Sequence, residues 1–340
     1  MTTSNTTTDE ALLEVAHLSV DVLTDHEVCP IVTDVGFRVR AGEALGIVGE
    51  SGSGKSMTVR AVQRLLARGV RARGTVTFDG RDVYGMSPRA LRDWRASEIA
   101  MIHQDPRAHI NPVRTVGDFL TEGLRLRKGT SRRVAAARAV SRLAEVGIPD
   151  GERRLAQYPH QLSGGLLQRV MIAAALLAEP RLIIADEPTT ALDVTTQEEV
   201  MAILDEQRRE RGLAMILITH DLDLAAAVCD RLAVMYAGAI AETGIAAALR
   251  EHPLHPYTAA LLASRPSTSA RVRLAAVPGR PSTAYEIEHG CVFAPRCPHA
   301  QPLCQEQAPA PRPLDGHQVA CHRAEELRGH LNRKEMADHD

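Results

Sequence analysis

The chain has 340 residues, with 40 Lys and Arg against 42 Asp and Glu and a net charge of −2. That length can bury a sizeable core in one or two domains. The near balance of charge gives no argument for nucleic acid or an acidic membrane surface as the main partner. The opening MTTSNTTTDE is polar throughout, so residues 1–11 read as a disordered leader and not as a secretory signal. The apolar run Val170–Ala178 falls well short of the roughly 20 residues a membrane-crossing helix needs. The chain is therefore expected to be soluble and to reach any membrane through a partner.

In chain order, LLEVAHLSVDV (Leu12–Val22) alternates apolar and polar residues as a half-buried strand does. EALGIVG (Glu43–Gly49) is a short apolar run ending in glycine, which suits a buried strand feeding a loop. That loop is GESGSGKS: Gly49, Glu50, Ser51, Gly52, Ser53, Gly54, Lys55 and Ser56, with Met57 next. It matches G-x-x-x-x-G-K-[ST]. Glycines let successive backbone N–H groups turn inward on phosphate oxygens, and a following helix adds its N-terminal N–H groups and dipole. Lys55 then reaches the β- and γ-phosphates of a nucleotide such as ATP, and Ser56 offers its hydroxyl to Mg²⁺. A chance Gly/Ser-rich turn is disfavoured by the preceding strand and by Lys55 being one of only three lysines in the chain.

Further on, Ala136, Val140, Leu143 and Ala144 fall at helical spacing and predict an apolar face. Arg132, Arg133, Arg138 and Arg142 opposite them read as a solvated face. RLIIAD (Arg181–Asp186) and LAMILIT (Leu213–Thr219) are apolar on both faces, as strands of a parallel sheet covered by helices are. Asp186 ends the first run and suits Mg²⁺ through water, while Glu187 beside it could polarise an attacking water. His220 follows the second run, and spacing alone leaves a structural histidine and a γ-phosphate contact equally open.

Past Gly244 prolines, histidines and cysteines become frequent, which places a boundary near residue 245. A loop-rich appendage is expected over 246–330, with a short tail at 331–340. It holds Cys291, Cys297, Cys304 and Cys321, spaced C-x5-C-x6-C-x16-C. This is neither the close C-x2-C pairing of zinc ribbons nor a familiar ferredoxin run. On spacing alone, buried structural thiols and a metal site stand nearly level. Four thiolates are the full ligand set of a tetrahedral metal or a [4Fe–4S] cluster, and Pro295, Pro298 and Pro302 suit a rigid ligand-bearing loop. Cys29 and Cys229 read as ordinary thiols, and His299, His317 and His322 as solvent-facing.

The stretch QLSGGLLQRVMIAAALLAEP (Gln161–Pro180), ahead of the strand ending in Asp186, carries LSGG. It resembles the signature of ABC ATPases. The resemblance implies an α/β P-loop NTPase core at 12–245 with an inserted helical subdomain at about 106–162, followed by the small Cys-rich appendage. It implies that Ser163, Gly164 and Gly165 contact the γ-phosphate bound by an opposing subunit, so that two subunits sandwich two ATP molecules. Gln104 in MIHQDP stands at the family's Q-loop beside Mg²⁺, with Ser56 and Asp186. Asp193 in TTALDV stands at the D-loop, Glu187 at the catalytic glutamate and His220 at the switch histidine.

QYPHQLSGG, VMYAGAIAETG, HPLHPYTAALLAS and CVFAPRCP are more narrowly similar to the oligopeptide/dipeptide-type importer ATPases. That resemblance implies a related second ATPase subunit, two transmembrane permeases, an extracytoplasmic solute-binding protein and a place on the cytoplasmic face of the membrane. Peptides are the default cargo, with nickel, sugars or opines as alternatives. Some members hold an iron–sulfur cluster in the appendage, which favours [4Fe–4S] over zinc or an absence of metal here. A soluble ABC protein of repair or translation is the weaker reading, because Gly49 and Asp186 are too close for a long coiled coil and the chain has one cassette. A metal- or redox-responsive regulator would explain the cysteines but not the nucleotide motifs. Three features depart from the family. Val22 stands where an aromatic usually stacks on adenine, DPRAHINP replaces DPMTSLNP at Arg107–Ile110, and Leu166 and Leu167 follow LSGG.

Overall fold

A computed structural model describes residues 10–24, 27–190, 192–264 and 277–331, without the side chains of residues 127 and 128. The expected leader and tail lie outside these residues, except for Glu10, Ala11 and Leu331. The chain divides into two compact units, residues 1–86 with 220–340, and residues 87–219.

The first unit contains an antiparallel sheet of four strands, in the order Val28–Arg40, Ala11–Leu23, Val70–Phe78 and Arg81–Asp82. Ala11–Leu23 is the strand expected from alternation, but its buried set changes parity partway along. Leu13 and Val15 are buried, then Leu18 and Val20. The pairing register slips between Val15 and Leu18, and His17 sits there at φ 54. An inserted residue of this kind is a β-bulge, which flips every later side chain to the other face. Gly74 lies against the bulge, where a Cβ would come 2.5 Å from the His17 carbonyl oxygen.

Also in this unit, Ala44–Val48 runs parallel to Arg231–Tyr236 with all five of its residues buried. Arg231–Tyr236 pairs antiparallel with Ala239–Ile245, which pairs in turn with His317–Val319, and that with Arg312–Leu314. Part of the appendage thus extends a sheet and is not purely loops. Helix Pro256–Ala263 is buried along its whole length. Small apolar clusters hold the rest: Leu254, Val319, Cys321 and Ala324, then Ala259, Leu327 and Leu331.

The second unit holds three parallel strands, Ile99–Ile102, Leu182–Asp186 and Ala214–Thr219, with Leu182–Asp186 in the middle. The last two are buried at every position, as their continuous apolar runs predict. Helices Pro88–Ser97, Val116–Lys128, Arg132–Glu145, Gly164–Leu177 and Val194–Arg211 accompany them. Helix Arg132–Glu145 buries Leu143 as expected, but with Ala135 and Ala139 in place of the expected Ala136, Val140 and Ala144, a face about one residue round. Alanines carry too little apolar surface to fix a helix register, and buried Val146 just past the end helps settle it. Its arginines are not simply solvated. Arg138 pairs with Glu179, and Arg142 with Glu145 at 2.7 Å. No helix among the described residues is long and apolar enough to cross a membrane.

Candidate functional site

The glycine loop leaves the strand Ala44–Val48 and enters the helix Lys55–Val62. Gly49 is required by packing, since a Cβ there would lie 2.1 Å from the Met235 carbonyl oxygen and 2.8 Å from Ser53 Oγ. Gly52 and Gly54 take φ values of 81° and 99°, which only glycine adopts without strain. These turns curl the loop, so that Lys55, itself 4% exposed, reaches back along it. Lys55 Nζ donates to the carbonyl oxygens of Gly49 and Glu50, each at 2.8 Å. Ser51 and Gly52 are exposed at the tip, Ser53 is buried, and Ser56 and Met57 are half-buried. His220, in the same unit, is exposed just before Asp221, whose carboxylate caps helix Leu222–Val228.

In the second unit Asp186 ends its strand at 6% exposure. Glu187 follows at φ 46, its N–H donating to the Ile218 carbonyl at 2.9 Å. Glu187 Oε2 accepts from Gln104 Nε2 at 3.1 Å and from Thr190 Oγ1 at 2.8 Å. The fold therefore brings Gln104 and Glu187 together as a polar pair. Sequence reasoning missed Thr190, whose only signal was the Thr-Thr following Asp-Glu-Pro.

Ser163 caps helix Gly164–Leu177, its Oγ accepting from the Leu166 N–H at 3.3 Å. This cap satisfies one of the N–H groups that the first turn of a helix leaves unpaired. Gly165 packs tightly there, for a Cβ would lie 2.6 Å from Thr196 Cγ2. Thr196 donates its N–H and hydroxyl to Asp193 at 3.0 and 2.9 Å. The backbone bond above all, with the hydroxyl bond, holds the Asp193 carboxyl below its usual range. Thr196 thus links the signature turn to Asp193, a link no local motif announces.

At the departures, Val22 is half-buried and pairs with Cys29 and Val70. Arg107–Ile110 follows Asp105, which caps the single turn Pro106–His109, and the rings of His103 and His109 stack at 3.7 Å. Leu166 is half-buried and Leu167 fully buried.

Cys291, Cys304 and Cys321 are buried and Cys297 half-buried, all as free thiols. The Cys291 N–H donates to the Cys304 carbonyl at 2.7 Å, and all four line one cavity of about 20 Å³ together with His299 and His322. Burial, aided by the neighbouring thiolates, pushes Cys297 up to about 12, Cys321 up to about 11, and Cys291 upward. Four cysteine sulfurs are a donor set of the kind that zinc or an iron–sulfur cluster accepts. Its spacing does not yet form a cage. Among the described residues no three or more Cys, His, Asp or Glu side chains are drawn together to hold a metal ion. Any such centre requires the thiols to reorient. His317 corrects an expectation, since it is 4% exposed and not solvent-facing, with Nδ1 2.7 Å from Glu242 Oε1. Cys29 and Cys229 lie elsewhere as free thiols.

Residues 32–190 match the ABC transporter family, and residues 241–304 match the oligopeptide/dipeptide transporter C-terminal region. The chain is 45% identical to the oligopeptide transport ATP-binding protein OppD of Salmonella typhimurium, across 91% of this chain and 93% of that one. It is 43% identical to the dipeptide transport ATP-binding protein DppD of Escherichia coli, across 92% and 96%. Among solved structures it resembles the ATP-binding cassette MJ0796, a dimer in a post-hydrolysis state bound to ADP and Pi. The TM-score is 0.62 at 26% identity, covering 69% of this chain and 98% of that one. It also resembles cbiO1 from Clostridium perfringens, part of the ABC transporter complex cbiONQ, with a TM-score of 0.61 at 27% identity over 70% and 90%.

Proposed function

The chain belongs to the ABC transporter family, and from that premise we propose that it is the ATP-hydrolysing subunit energising import of di- or oligopeptides through partner permeases. Its extended similarity to transport proteins named for oligopeptides and dipeptides supports the cargo class. The observation that carries the hydrolytic part is Glu187, a carboxylate at a buried strand end steadied by Gln104 and Thr190, in a chain that also holds the Gly49–Ser56 loop.

In this reading the backbone N–H groups of Gly49–Ser56 and the Lys55 ammonium bind the phosphates of ATP, and Met57 continues the helix they sit on. Ser56, Asp186 and Gln104 offer the hard oxygen donors that suit Mg²⁺, which when bound would supply charge neutralisation on the phosphoryl oxygens. Glu187 accepts the proton of the attacking water, and its bond from Gln104 holds the carboxylate in one orientation. His220 serves the γ-phosphate end. Ser163, Gly164, Gly165 and Asp193 face nucleotide held by a second, related ATPase subunit. The helices over about 106–162 form an inserted subdomain that meets two transmembrane permeases, fed by an extracytoplasmic solute-binding protein. The chain then works as a peripheral protein on the cytoplasmic face of the membrane.

Residues 246–330 form the appendage, where Cys291, Cys297, Cys304 and Cys321, once reoriented, would hold a [4Fe–4S] cluster. A cluster would tie together the loops that carry the four cysteines. Zinc is the second reading, since four thiolates also complete a tetrahedral site. Anaerobically purified protein should be brown, absorbing broadly near ~400 nm. A colourless protein with stoichiometric zinc decides for the second reading.

The hydrolytic assignment is tested in the assembled complex. Glu187→Gln should retain ATP binding while turnover falls by about 10²–10⁴, the range of general-base loss. Undiminished turnover refutes it.

A further inference from the structure

Glu50 is a non-glycine member of the phosphate loop, and its side chain is held from far along the chain. Arg296 donates to both carboxylate oxygens, Nη1 to Oε2 at 2.6 Å and Nη2 to Oε1 at 3.2 Å. The Arg296 side chain is 4% exposed and that of Glu50 21%. The remaining donors of the guanidinium are also spent. Nε donates to the Pro278 carbonyl at 2.5 Å, Nη2 to the Val277 carbonyl at 3.2 Å, and Nη1 to Tyr236 Oη at 3.2 Å.

The main chain of Glu50 is fixed as well. Its N–H donates to Tyr257 Oη at 2.9 Å, and its carbonyl accepts from Lys55 Nζ at 2.8 Å. The two tyrosine rings lie 4.6 Å apart between centroids, with Phe293 at 5.2 and 5.3 Å from them. Burial pushes the Tyr257 phenol upward, so its hydroxyl stays protonated at neutral pH. Both faces of the Glu50 peptide and its carboxylate therefore have fixed partners.

A loop rich in glycine and serine pays conformational entropy when it closes on phosphate. Holding one of its residues by bonds to three separate side chains lowers that cost before the ligand arrives. The holding group cannot be a point charge, because only a planar fork serves a bidentate carboxylate, a phenol and two carbonyls at once. Arg296 also directly precedes Cys297 and belongs to the turn Ala294–Arg296. The same side chain that fixes the phosphate loop thus emerges from the cysteine-bearing loop.

We propose that Arg296 is a positioning residue for the phosphate loop, coupling the segment 291–297 to nucleotide binding through its fork with Glu50. The proposal rests on the reading that Gly49–Ser56 binds nucleotide. Coupling of this kind is reciprocal, so nucleotide also steadies the cysteine-bearing segment.

The test uses the full chain. A fluorescent ATP analogue with Mg²⁺ is titrated into wild type, Arg296→Lys, Arg296→Gln, Glu50→Gln and the double Gln variant, with melting recorded alongside. Each Gln variant should weaken binding about tenfold, the scale of one lost charge-assisted bond. The double variant should bind no worse than the weaker single, and Arg296→Lys should recover only part of the loss. Variants that melt earlier yet bind with wild-type affinity would overturn the proposal, leaving Arg296 a purely structural residue.

Should Arg296→Gln fail to fold, Glu50→Gln carries the test through amide hydrogen exchange over 291–297. Exchange there should slow on nucleotide addition in wild type and respond less than half as much in Glu50→Gln. Equal responses, or none in wild type that binds nucleotide, overturn the coupling. A wild type that binds no nucleotide sinks the reading of the loop itself, and the coupling with it.

Discussion

Glu242 offers the sharpest test of how the C-terminal segment is attached. It is fully buried on strand Ala239–Ile245. Its Oε1 accepts from the Leu254 N–H at 2.9 Å and lies 2.7 Å from His317 Nδ1, while Oε2 accepts from the His255 N–H at 3.1 Å. One carboxyl group thereby fastens the entry to helix Pro256–Ala263 and the strand His317–Val319. Glu242→Ala removes all three bonds and strands two backbone donors, which at about 1–1.5 kcal/mol per bond amounts to about 3–5 kcal/mol. Glu242→Gln keeps one oxygen but turns an amide N–H₂ on a donor, a loss of about 1–2 kcal/mol. A chain of two units has no single well-defined melting free energy, so the local readout is preferable. Amide hydrogen exchange over residues 252–257 should accelerate roughly 100-fold or more in the Ala variant and about tenfold in the Gln variant, at 1.4 kcal/mol per factor of ten. Protection within threefold of wild type in both variants would show that Glu242 is not the fastening point.

Other expectations follow from close approaches and caps. Gly49→Ala should abolish binding of a fluorescent ATP analogue, because its Cβ cannot occupy a point 2.1 Å from the Met235 carbonyl; retained affinity would contradict that packing. Gly165→Ala should cost about 1–3 kcal/mol by overpacking, read from urea unfolding followed by Trp94 in the same unit. Thr196→Ser in that background deletes the clashing methyl, keeps the hydroxyl for Asp193, and should restore most of the loss. Asp193→Ala should lower the urea midpoint at pH 7. Because the Asp193 carboxyl is held low in the folded chain, its contribution is complete above the ordinary carboxylate range and fades as pH falls below about 4. The gap between wild type and variant should therefore close in acid, and a constant gap would refute the assignment. Cys304→Ser should bleach any absorption near ~400 nm if the four thiols share one cluster.

Features encoded over a few neighbouring residues were legible in the sequence. The glycine loop, the apolar strands ending in Asp186 and Thr219, and the LSGG turn each carry their own spacing, and each stands where that spacing placed it. Features created by folding distant segments together were not. Arg296 and Glu50 are 246 positions apart, and nothing near either one announces the other. His317 looked solvent-facing because a histidine in a polar stretch usually is, yet its partner Glu242 is buried 75 positions earlier. Local irregularity hid structure too. The bulge at His17 breaks the alternation of Ala11–Leu23, and the alanine-rich face of Arg132–Glu145 left its register open by one residue. The strand Ile99–Ile102 is only four residues long, too short for a periodic signal.

The backbone of Glu187 bears on how this protein would respond to engineering. At φ 46 an L-amino acid with a Cβ is in the left-handed region, which costs roughly 1–2 kcal/mol that glycine avoids. Glu187→Gly relieves that strain but gives up the bonds from Gln104 and Thr190 and loosens the unfolded chain, so the side chain and the backbone pull in opposite directions here. Under the proposed reading that Glu187 accepts the proton of the attacking water, any screen for a hardier variant must score hydrolysis in the same round.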